Sequence, residues 1–166
     1  MSGVSNRVFI ALGSNIEPRE EFLRMAVQKL RTIGEVLCIS PVYETSPVGE
    51  VAQPDFLNAV VEIQTTLDPL ESLVSLKSFE ASMGRKVRPR WHEREIDFDI
   101  LFFNDIVLVS PALTIPHLEI PHRAFVLKPM SDLDANFVHP VLHRTIQELL
   151  SAVDFSGIRR TSIKLD

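Results

Sequence analysis

Two aspartates, Asp97 and Asp99, lie two residues apart in an otherwise apolar segment, residues 96–103. The composition of this segment predicts a β-strand, in which side chains at positions i and i+2 point to the same face. The two carboxylates therefore repel each other unless a cation lies between them or water screens them. Paired carboxylates that hold magnesium are common in phosphate chemistry, so we expect a metal site. A half-exposed strand with a wet polar face is the alternative.

A basic loop directly precedes these aspartates. Guanidinium groups form paired hydrogen bonds to phosphate oxygens, so arginines beside a metal site are typical of enzymes that act on phosphates. A solvated surface loop is the more common use of such a run of charges and stays open as the alternative. The loop, residues 85–95, contains Arg85, Lys86, Arg88, Arg90 and Arg94.

Further candidates are spread along the chain. The segment ALGSN, residues 11–15, matches neither a Walker A loop nor a dinucleotide-binding fingerprint, and its default interpretation is a turn between a strand and a helix. Phe56 and Asn58 share one face of a predicted strand. An aromatic ring and an amide on one face suit the binding of a flat heterocycle. A phenylalanine in the core next to an asparagine in a turn is the more common explanation of this pattern. His117, Arg123 and Phe125 offer another cation and another ring.

The composition is that of an ordinary globular protein. The 166 residues are 45% hydrophobic and 23% charged, and we expect a single domain over residues 1–166. The net charge of −5 disfavours nucleic acid, whereas the short basic loop suits a small anionic ligand. Cys38 is the only cysteine, so no intrachain disulfide forms, and we expect it to be a small core residue. Without a signal-peptide pattern or a segment of transmembrane length, we expect a cytoplasmic protein that does not contact membranes.

Hydrophobic periodicity and turn residues predict the order β-α-β-β-α-β over the first hundred residues. The predicted strands are residues 7–12, 36–45, 56–66 and 96–103, and the predicted helices are 18–34 and 68–84. This order is typical of a ferredoxin-like α+β fold, in which an antiparallel sheet carries both helices on one face. Three loops then meet at one sheet edge beside Asp97 and Asp99. We also expect a C-terminal extension with a hairpin partner at 106–109 and helices at 123–132 and 143–152.

These segments, taken in order, resemble the 6-hydroxymethyl-7,8-dihydropterin pyrophosphokinase family of folate biosynthesis. The most specific match is RWHEREIDFDIL, residues 90–101, which is close to the family signature. ALGSN, QPDFLNAV (residues 53–60), IPH (115–117) and RAFVL (123–127) fall where the family has its own equivalents. The resemblance extends from about residue 8 to about residue 150.

The resemblance implies an enzyme that transfers pyrophosphate from ATP to the hydroxymethyl group of the pterin and releases AMP. Asp97 and Asp99 would hold two Mg²⁺ ions that bridge the ATP phosphates. The residues that would bind ATP or its phosphates are Arg85, Arg90, Arg94, Glu80, Trp91, Ile100, His117 and Arg123. The pterin would lie between Phe56 and Phe125, and its edge would contact Thr45, Pro47, Val48 and Asn58. No strong general base is visible, which fits a reaction that depends on positioning and electrostatics.

The sequence departs from the family in three places. His92 and Glu93 stand where the family usually has Gly-Pro, and we expect them to alter the motion of the loop and to add a negative charge near the phosphates. Phe56 stands where tyrosine is common. The basic loop is slightly short, so either Lys86 or Arg88 takes the place of the family's second loop arginine.

Two other functions stay open from the sequence. A ferredoxin-like sheet can bind RNA or a small ligand without catalysis, because a fold does not determine a function. The acidic composition and the lack of clustered aromatic residues on the central strands disfavour RNA. An enzyme that has lost turnover but still binds ATP or pterin is a third possibility, and His92 and Glu93 are the only indication of it. If the protein is an enzyme, we expect it to be a monomer that acts on two small-molecule substrates.

Overall fold

The computed structural model describes residues 3–47 and 52–166, which form an antiparallel sheet between two layers of helices. The strands are β1 (Asn6–Ser14), β2 (Glu35–Ile39), β3 (Tyr43–Thr45), β4 (Phe56–Thr65), β5 (Asp97–Phe103), β6 (Leu108–Val109), β7 (Thr114–Ile115) and β8 (Ile158–Arg160). The helices are α1 (Arg19–Leu30), α2 (Pro69–Ser82), α3 (Ala124–Asp134) and α4 (Ile146–Ser151), with a short 3-10 helix at Ile120–His122. The structure therefore confirms the prediction of a mixed fold of helices and strands with an antiparallel sheet.

Two long strands, β1 and β4, form the centre of the sheet. They pair antiparallel along their whole length, from Asn6 opposite Thr65 to Ser14 opposite Leu57. β5 flanks β1, β2 and β3 both flank β4, and β8 pairs with β3. Side chains alternate between the two sheet faces, and both faces of the central strands are apolar. The sheet therefore needs a covering layer on each side.

The predicted second strand, residues 36–45, is divided in the structure into β2 and β3. Pro41 lacks the N–H that a strand ladder requires, so pairing is interrupted there. Ser40 compensates, because its N–H donates to the Val60 carbonyl (2.9 Å) and its hydroxyl oxygen accepts the Val60 N–H (2.9 Å). After this interruption β3 pairs again with β4, which brings Thr45 opposite Phe56.

The first helical layer, α1 and α2, packs on one face of the sheet. Asp68 caps α2, since its carboxylate accepts the Glu71 N–H at 2.8 Å. The buried apolar residues of this layer include Leu23, Ala26, Val27, Leu30 and Leu76. They contact the sheet through a set that includes Ile10, Val61, Phe98 and Ile100. This layer closes the face that points away from Asp97 and Asp99.

The second layer, α3 and α4, covers part of the opposite sheet face. Its core includes Phe9, Val60 and Leu101 from the sheet and Val126, Leu127, Met130 and Leu150 from the helices. Arg7 on β1 fixes α3 in place through Asp134 (3.1 Å) and also contacts Glu62 on β4 (2.7 Å). The hydroxyl of buried Tyr43 donates to Asp132 at the end of α3. Part of this sheet face, beside the start of α3, stays uncovered.

Several predicted elements differ from the structure. The segment expected to pair with β5, residues 106–109, instead forms β6 and pairs with β7. The predicted helix at 143–152 is shorter, because Thr145 and Glu148 form a capping box that starts α4 at Ile146. β8 was not predicted at all. The longest helix, α2, has 14 residues, and no helix in the described ranges is long and apolar enough to cross a membrane.

Some apolar side chains of the helices face solvent. Met25 is 45% exposed in α1, where Leu23 and Val27 are buried. Leu70 and Val74 are exposed on α2, because this helix buries mainly Leu76 together with polar residues. Cys38 is exposed rather than buried. β2 lies at an edge of the sheet, so one side of its residues faces solvent.

Gly34 provides a test of the packing between α1 and the sheet. A Cβ atom at this position would lie 2.4 Å from the Gln64 carbonyl oxygen, whereas at Gly157 it would meet nothing within 4 Å. We expect Gly34→Ala to lower the free energy of unfolding by about 1–3 kcal/mol, because backbone must move to relieve the overlap. Gly157→Ala is the matched control and should leave stability unchanged. Urea denaturation of both variants measures this, and equal midpoints would contradict the close packing at Gly34.

Candidate active site

The sequence points to the carboxylates of Asp97 and Asp99 and to the amide of Asn58. In the structure these side chains lie on the two strands that flank β1. Gly13 on β1 is opposite Asp97 on one side and Asn58 on the other. Ala11, the next residue on the same face of β1, is opposite Asp99. Because Gly13 has no side chain, the sheet forms a bare floor between a carboxylate and an amide.

This floor lies on the sheet face that α3 and α4 leave uncovered. The start of α3 forms one wall, with Arg123 and Phe125, and the guanidinium of Arg123 lies 5.6 Å from the centre of the Phe125 ring. Floor and walls line a cavity of about 100 Å³ that is partly open to solvent. The residues that alternate with the aspartates are buried in the opposite layer: Ile96, Phe98 and Ile100.

Asp97 forms ion pairs with two arginines of the basic loop. Arg94 Nη1 lies 2.5 Å from its Oδ2, and Arg85 Nη2 lies 3.2 Å from its Oδ1. The Asp97 side chain is 21% exposed, so water screens these pairs in part. Each carboxylate oxygen of Asp97 therefore has its own cation, and both cations come from the loop that the sequence predicts to bind phosphate.

The electrostatic environment of Asp99 differs from that of Asp97. Its pKa is raised to about 6, because the recess around it removes water and because the carboxylate of Asp97 lies beside it. His117 Nε2 lies 3.8 Å from Asp99 Oδ1. Burial and the charge of Arg123 lower the pKa of His117, whose Nδ1 accepts the Glu119 N–H at 3.2 Å. Additional positive charge between the two aspartates would therefore favour the ionised form of Asp99.

An internal ion pair shapes the basic loop. Arg88 binds Glu95 through two hydrogen bonds, at 2.5 and 3.1 Å, and Glu95 is only 7% exposed. The guanidinium of Arg88 lowers the pKa of Glu95. Lys86 is exposed. Of the two candidates for the second loop cation, Arg88 is thus engaged within the loop and Lys86 is accessible to an anion.

Glu80 lies behind the site rather than in it. It is 3% exposed, its Oε2 accepts the Phe98 N–H at 2.9 Å, and its Oε1 lies 3.6 Å from Arg85 Nη1. Burial raises the pKa of Glu80. Glu80 therefore connects α2 to the start of β5 and holds Arg85 next to Asp97.

The other end of the floor is lined by a ring and a hydrogen-bonded amide. Asn58 Nδ2 donates to Thr45 Oγ1 at 2.8 Å, and both side chains are buried. A Cβ atom at Gly13 would lie 3.2 Å from Asn58 Oδ1 and 3.7 Å from the Phe56 ring. Phe56 from β4 and Phe125 from α3 both line the cavity, which is a shape suited to a flat heterocycle.

The structure brings most of the predicted site residues to this cavity. Those that line it are Thr45, Phe56, Asn58, Trp91, Arg94, Asp97, Asp99, His117, Arg123 and Phe125. Arg85 contacts it through Asp97, and Arg90 stacks on Trp91 with its guanidinium 4.7 Å from the ring centre. Glu80, Ile100 and Pro47 do not line the cavity, and Val48 lies outside the described residues.

Sequence reasoning missed two amide residues that hold the loops around the cavity. Asn15 bonds to both the basic loop and the segment before β4, and Gln53 bonds to Asn15 and to the Trp91 carbonyl. Both residues occur in the segments ALGSN and QPDFLNAV, but neutral amides carry no signal of charge or metal binding. Only the long-range contacts identify them.

Comparisons with known proteins indicate the family of this chain. A sequence model of the 7,8-dihydro-6-hydroxymethylpterin-pyrophosphokinase (HPPK) family matches residues 9–135. The 2-amino-4-hydroxy-6-hydroxymethyldihydropteridine pyrophosphokinase of Pseudomonas aeruginosa is 40% identical over 157 residues, which is 93% of this chain and 96% of that protein. The Bacillus subtilis protein of the same name is 42% identical over 132 residues, 78% of this chain and 79% of that protein.

Longer proteins contain a similar unit. The chain spans 21% of the length of the Schizosaccharomyces pombe folic acid synthesis protein, with 40% identity over 153 residues, 91% of this chain. A crystal structure of Plasmodium falciparum HPPK-DHPS with pterin and p-hydroxybenzoate has a TM-score of 0.77 at 21% identity, and covers 96% of this chain and 47% of that one. This second likeness establishes the fold.

Carboxylates next to arginines, above a bare floor and beside two rings, define a site of the phosphoryl-transfer class. The chain belongs to the 7,8-dihydro-6-hydroxymethylpterin-pyrophosphokinase family. Its function is accordingly the transfer of pyrophosphate from ATP to hydroxymethyldihydropterin in folate synthesis.

The Arg88–Glu95 pair can be tested by hydrogen–deuterium exchange. Arg88→Ala leaves the buried Glu95 carboxylate without its cation, so we expect amides of residues 86–95 to exchange faster than in the unsubstituted protein. Lys86→Ala removes an exposed cation from the same loop and should not change this exchange. If the two variants show equal protection, the ion pair does not organise the loop.

Proposed function

We propose that the chain performs this transfer as a Mg²⁺-dependent enzyme in which Asp97 and Asp99 hold two metal ions. The observation that supports this proposal is the register of β1 and β5, which puts both carboxylates on one face, with Asp97 opposite Gly13 and Asp99 opposite the small side chain of Ala11. Mg²⁺ is commonly bound by one or two carboxylates together with phosphate oxygens and water. When bound, the ions would neutralise the charge that develops on the phosphates.

The chemistry of the donor set fits such cations. Burial raises the pKa of Asp99 and the negative charge of Asp97 raises it further, and a divalent cation between the two carboxylates would offset the repulsion between them. Among the described residues there is no group of three or more metal-ligating side chains. The remaining ligands would therefore be phosphate oxygens and water, as is usual where a metal binds together with a nucleotide.

The arginines of the basic loop would act on the phosphates. Arg85 and Arg94 now neutralise Asp97, and the same guanidinium groups can form paired bonds to phosphate oxygens once the carboxylate binds a metal. Arg90 lies outside the cavity on the ring of Trp91 and would reach the nucleotide when the loop closes. Arg123 is placed at the N-terminus of α3, where the helix dipole also favours an anion.

The opposite end of the cavity would bind the pterin. Phe56 and Phe125 would contact the two faces of its ring, and Asn58 would form hydrogen bonds with its edge. The Thr45 hydroxyl accepts an Asn58 N–H and so fixes the orientation of that amide. The hydroxymethyl oxygen would then lie over the floor and attack the β-phosphorus of ATP, with AMP as the leaving group. Positioning and charge neutralisation are the contributions that these residues can make.

A binding module without catalysis is the second candidate function, either for a small ligand or for RNA. The net charge of −5 and the narrow basic loop disfavour RNA. The arrangement of two carboxylates with two arginines over an open floor favours phosphoryl transfer over simple binding, because binding alone does not require a like-charge pair.

The domain organisation, oligomeric state, location and partners of the enzyme are also proposals. We propose one domain over residues 1–166 that acts as a monomer in the cytoplasm, without nucleic-acid or membrane partners. The order β5-β1-β4, with β2 and β3 beyond, is consistent with a ferredoxin-like sheet. The single cysteine is consistent with a reducing compartment.

The products identify the reaction. We expect AMP to form only when ATP, Mg²⁺ and 6-hydroxymethyl-7,8-dihydropterin are all present, and to stop when EDTA removes the metal. Chromatographic separation of nucleotides distinguishes AMP from ADP. Formation of ADP, or of AMP without the pterin, would contradict pyrophosphate transfer, and unchanged turnover in EDTA would contradict the metal requirement.

The role of the aspartates can be tested by substitution. Asp97→Asn keeps the shape of the side chain but weakens metal binding, so we expect kcat to fall by about 100-fold or more while the far-UV circular dichroism stays unchanged. Asp105→Asn alters an exposed aspartate just after the other end of β5 and is the matched control. Turnover within about threefold of the unsubstituted enzyme in Asp97→Asn would remove Asp97 from the site.

A further inference from the structure

A tight turn in the basic loop determines which of its side chains enter the cavity. The His92 N–H donates to the Pro89 carbonyl at 3.3 Å, which closes a turn of four residues. Trp91, the third residue of this turn, has a φ of 70°, and a positive φ at that position is the mark of a type II turn. The chain therefore reverses at Trp91, and His92 is the first residue to leave the turn.

After the turn, neighbouring side chains point in different directions. His92 and Arg94 both line the cavity, whereas Glu93 between them does not. The Glu93 carbonyl accepts a hydrogen bond from Arg88 Nη1 at 3.3 Å. The pKa of Arg88 is raised mainly by its hydrogen bond to Glu95, and the negative charge of Glu93 raises it further. Glu93 thus lies toward Arg88, and the negative charge that the sequence led us to expect near the phosphates does not face the cavity.

His92 brings an imidazole with free donors to the cavity. It is partly buried, and in the described ranges its ring nitrogens have no hydrogen-bond partner and no carboxylate oxygen within 4 Å. His117, the other histidine that lines the cavity, instead accepts the Glu119 N–H and lies 3.8 Å from Asp99. A neutral imidazole has one ring N–H and a protonated one has two. His92 can therefore donate to a ligand without losing a contact in the protein.

The charged groups around His92 indicate the kind of ligand that it would meet. Those on the same loop are Arg94, which lines the cavity, and Arg90, which stacks on the Trp91 ring. The other elements contribute Asp97 and Asp99 from β5, His117 from the segment after β7 and Arg123 from the start of α3. Cations beside a carboxylate pair that can take metal ions suit a polyphosphate rather than an uncharged ring. An imidazole next to Arg94 adds a donor on the loop side of such a ligand.

We propose that His92 is a further nucleotide-binding residue, whose imidazole donates a hydrogen bond to an oxygen of the pyrophosphate group that is transferred from ATP. This inference rests on the proposed function, because it requires the phosphates to lie beside Arg94. A neutral imidazole supplies the hydrogen bond alone, and a protonated one also supplies positive charge. Charge-assisted hydrogen bonds are about twice as strong as neutral ones, so the contact strengthens as the pH falls from about 8.5 to about 6.

Three substitutions to glutamine separate this contact from other effects of charge. His92→Gln keeps a neutral donor and removes the group that can be protonated. His122→Gln alters an exposed histidine that does not line the cavity and is the matched control. Glu93→Gln removes the neighbouring carboxylate. All three variants should keep the Tm of the unsubstituted protein, because in the described ranges none of these side chains forms a hydrogen bond or an ion pair.

The measurement is the Kd of an ATP analogue with a methylene bridge between the α- and β-phosphorus atoms, by titration calorimetry with Mg²⁺. We expect His92→Gln to raise this Kd by about 5- to 10-fold at about pH 6 and by no more than about twofold at about pH 8.5. His122→Gln and Glu93→Gln should leave it within about twofold at both values. Asp99 and the terminal phosphate also titrate in this range, but their effects cancel in the ratio of variant to unsubstituted Kd. A ratio for His92→Gln that does not rise as the pH falls would overturn the proposal.

AMP and the pterin show which part of the site His92 contacts. AMP lacks the transferred pyrophosphate, so we expect His92→Gln to bind AMP and hydroxymethyldihydropterin within about twofold of the unsubstituted protein. A larger loss of affinity for either compound would place His92 at another part of the site and overturn the proposal. A protein that forms AMP from ATP and pterin but shows no rise in the ratio would exclude the role of His92 and keep the proposed function. Failure of the unsubstituted protein to bind the ATP analogue would overturn both.

Discussion

Repulsion between two carboxylates on one face of one strand is the constraint that organises the charges of this protein. Asp97 and Asp99 cannot both be ionised at low cost unless positive charge lies near them. Arg85 and Arg94 supply that charge to Asp97, and Glu80 holds Arg85 from behind the strand. The basic loop is therefore bound to Asp97 by the same guanidinium groups that we propose to bind the phosphates. In such a site, ion pairs hold the basic loop against Asp97, and a nucleotide with its metal ions can replace these ion pairs.

Local periodicity explains what the sequence predicted well. The alternation of side chains in a strand has a period of two, so the common face of Asp97 and Asp99 and the burial of Phe98 follow from the sequence alone. The meeting of the loops follows from the order of strands, since antiparallel pairing returns the chain to the same edge. Most of the predicted site residues line one cavity for this reason. The family signature added the roles that no spacing could supply.

The errors have a different origin, and several of them depend on contacts distant in the chain. β8 pairs with β3 across more than a hundred residues, whereas β6 pairs with its near neighbour β7 rather than with β5. The exposure of Cys38 follows from the position of β2 at an edge of the sheet, which its apolar neighbours do not reveal. Asn15 and Gln53 are recognisable only in the folded chain, since a neutral amide in a turn has the same local signature whether it holds two loops together or faces solvent.

The bare floor at Gly13 has a consequence for inhibition. A flat compound that rests there would contact main-chain atoms, and substitutions elsewhere cannot remove a peptide group. Replacement of Gly13 itself would place a methyl group 3.2 Å from Asn58 Oδ1, where, with the pterin placed as we propose, it would also obstruct that substrate. Drug resistance by mutation would then have to arise in the walls of the cavity, so a compound that draws most of its affinity from the floor would leave few escape routes.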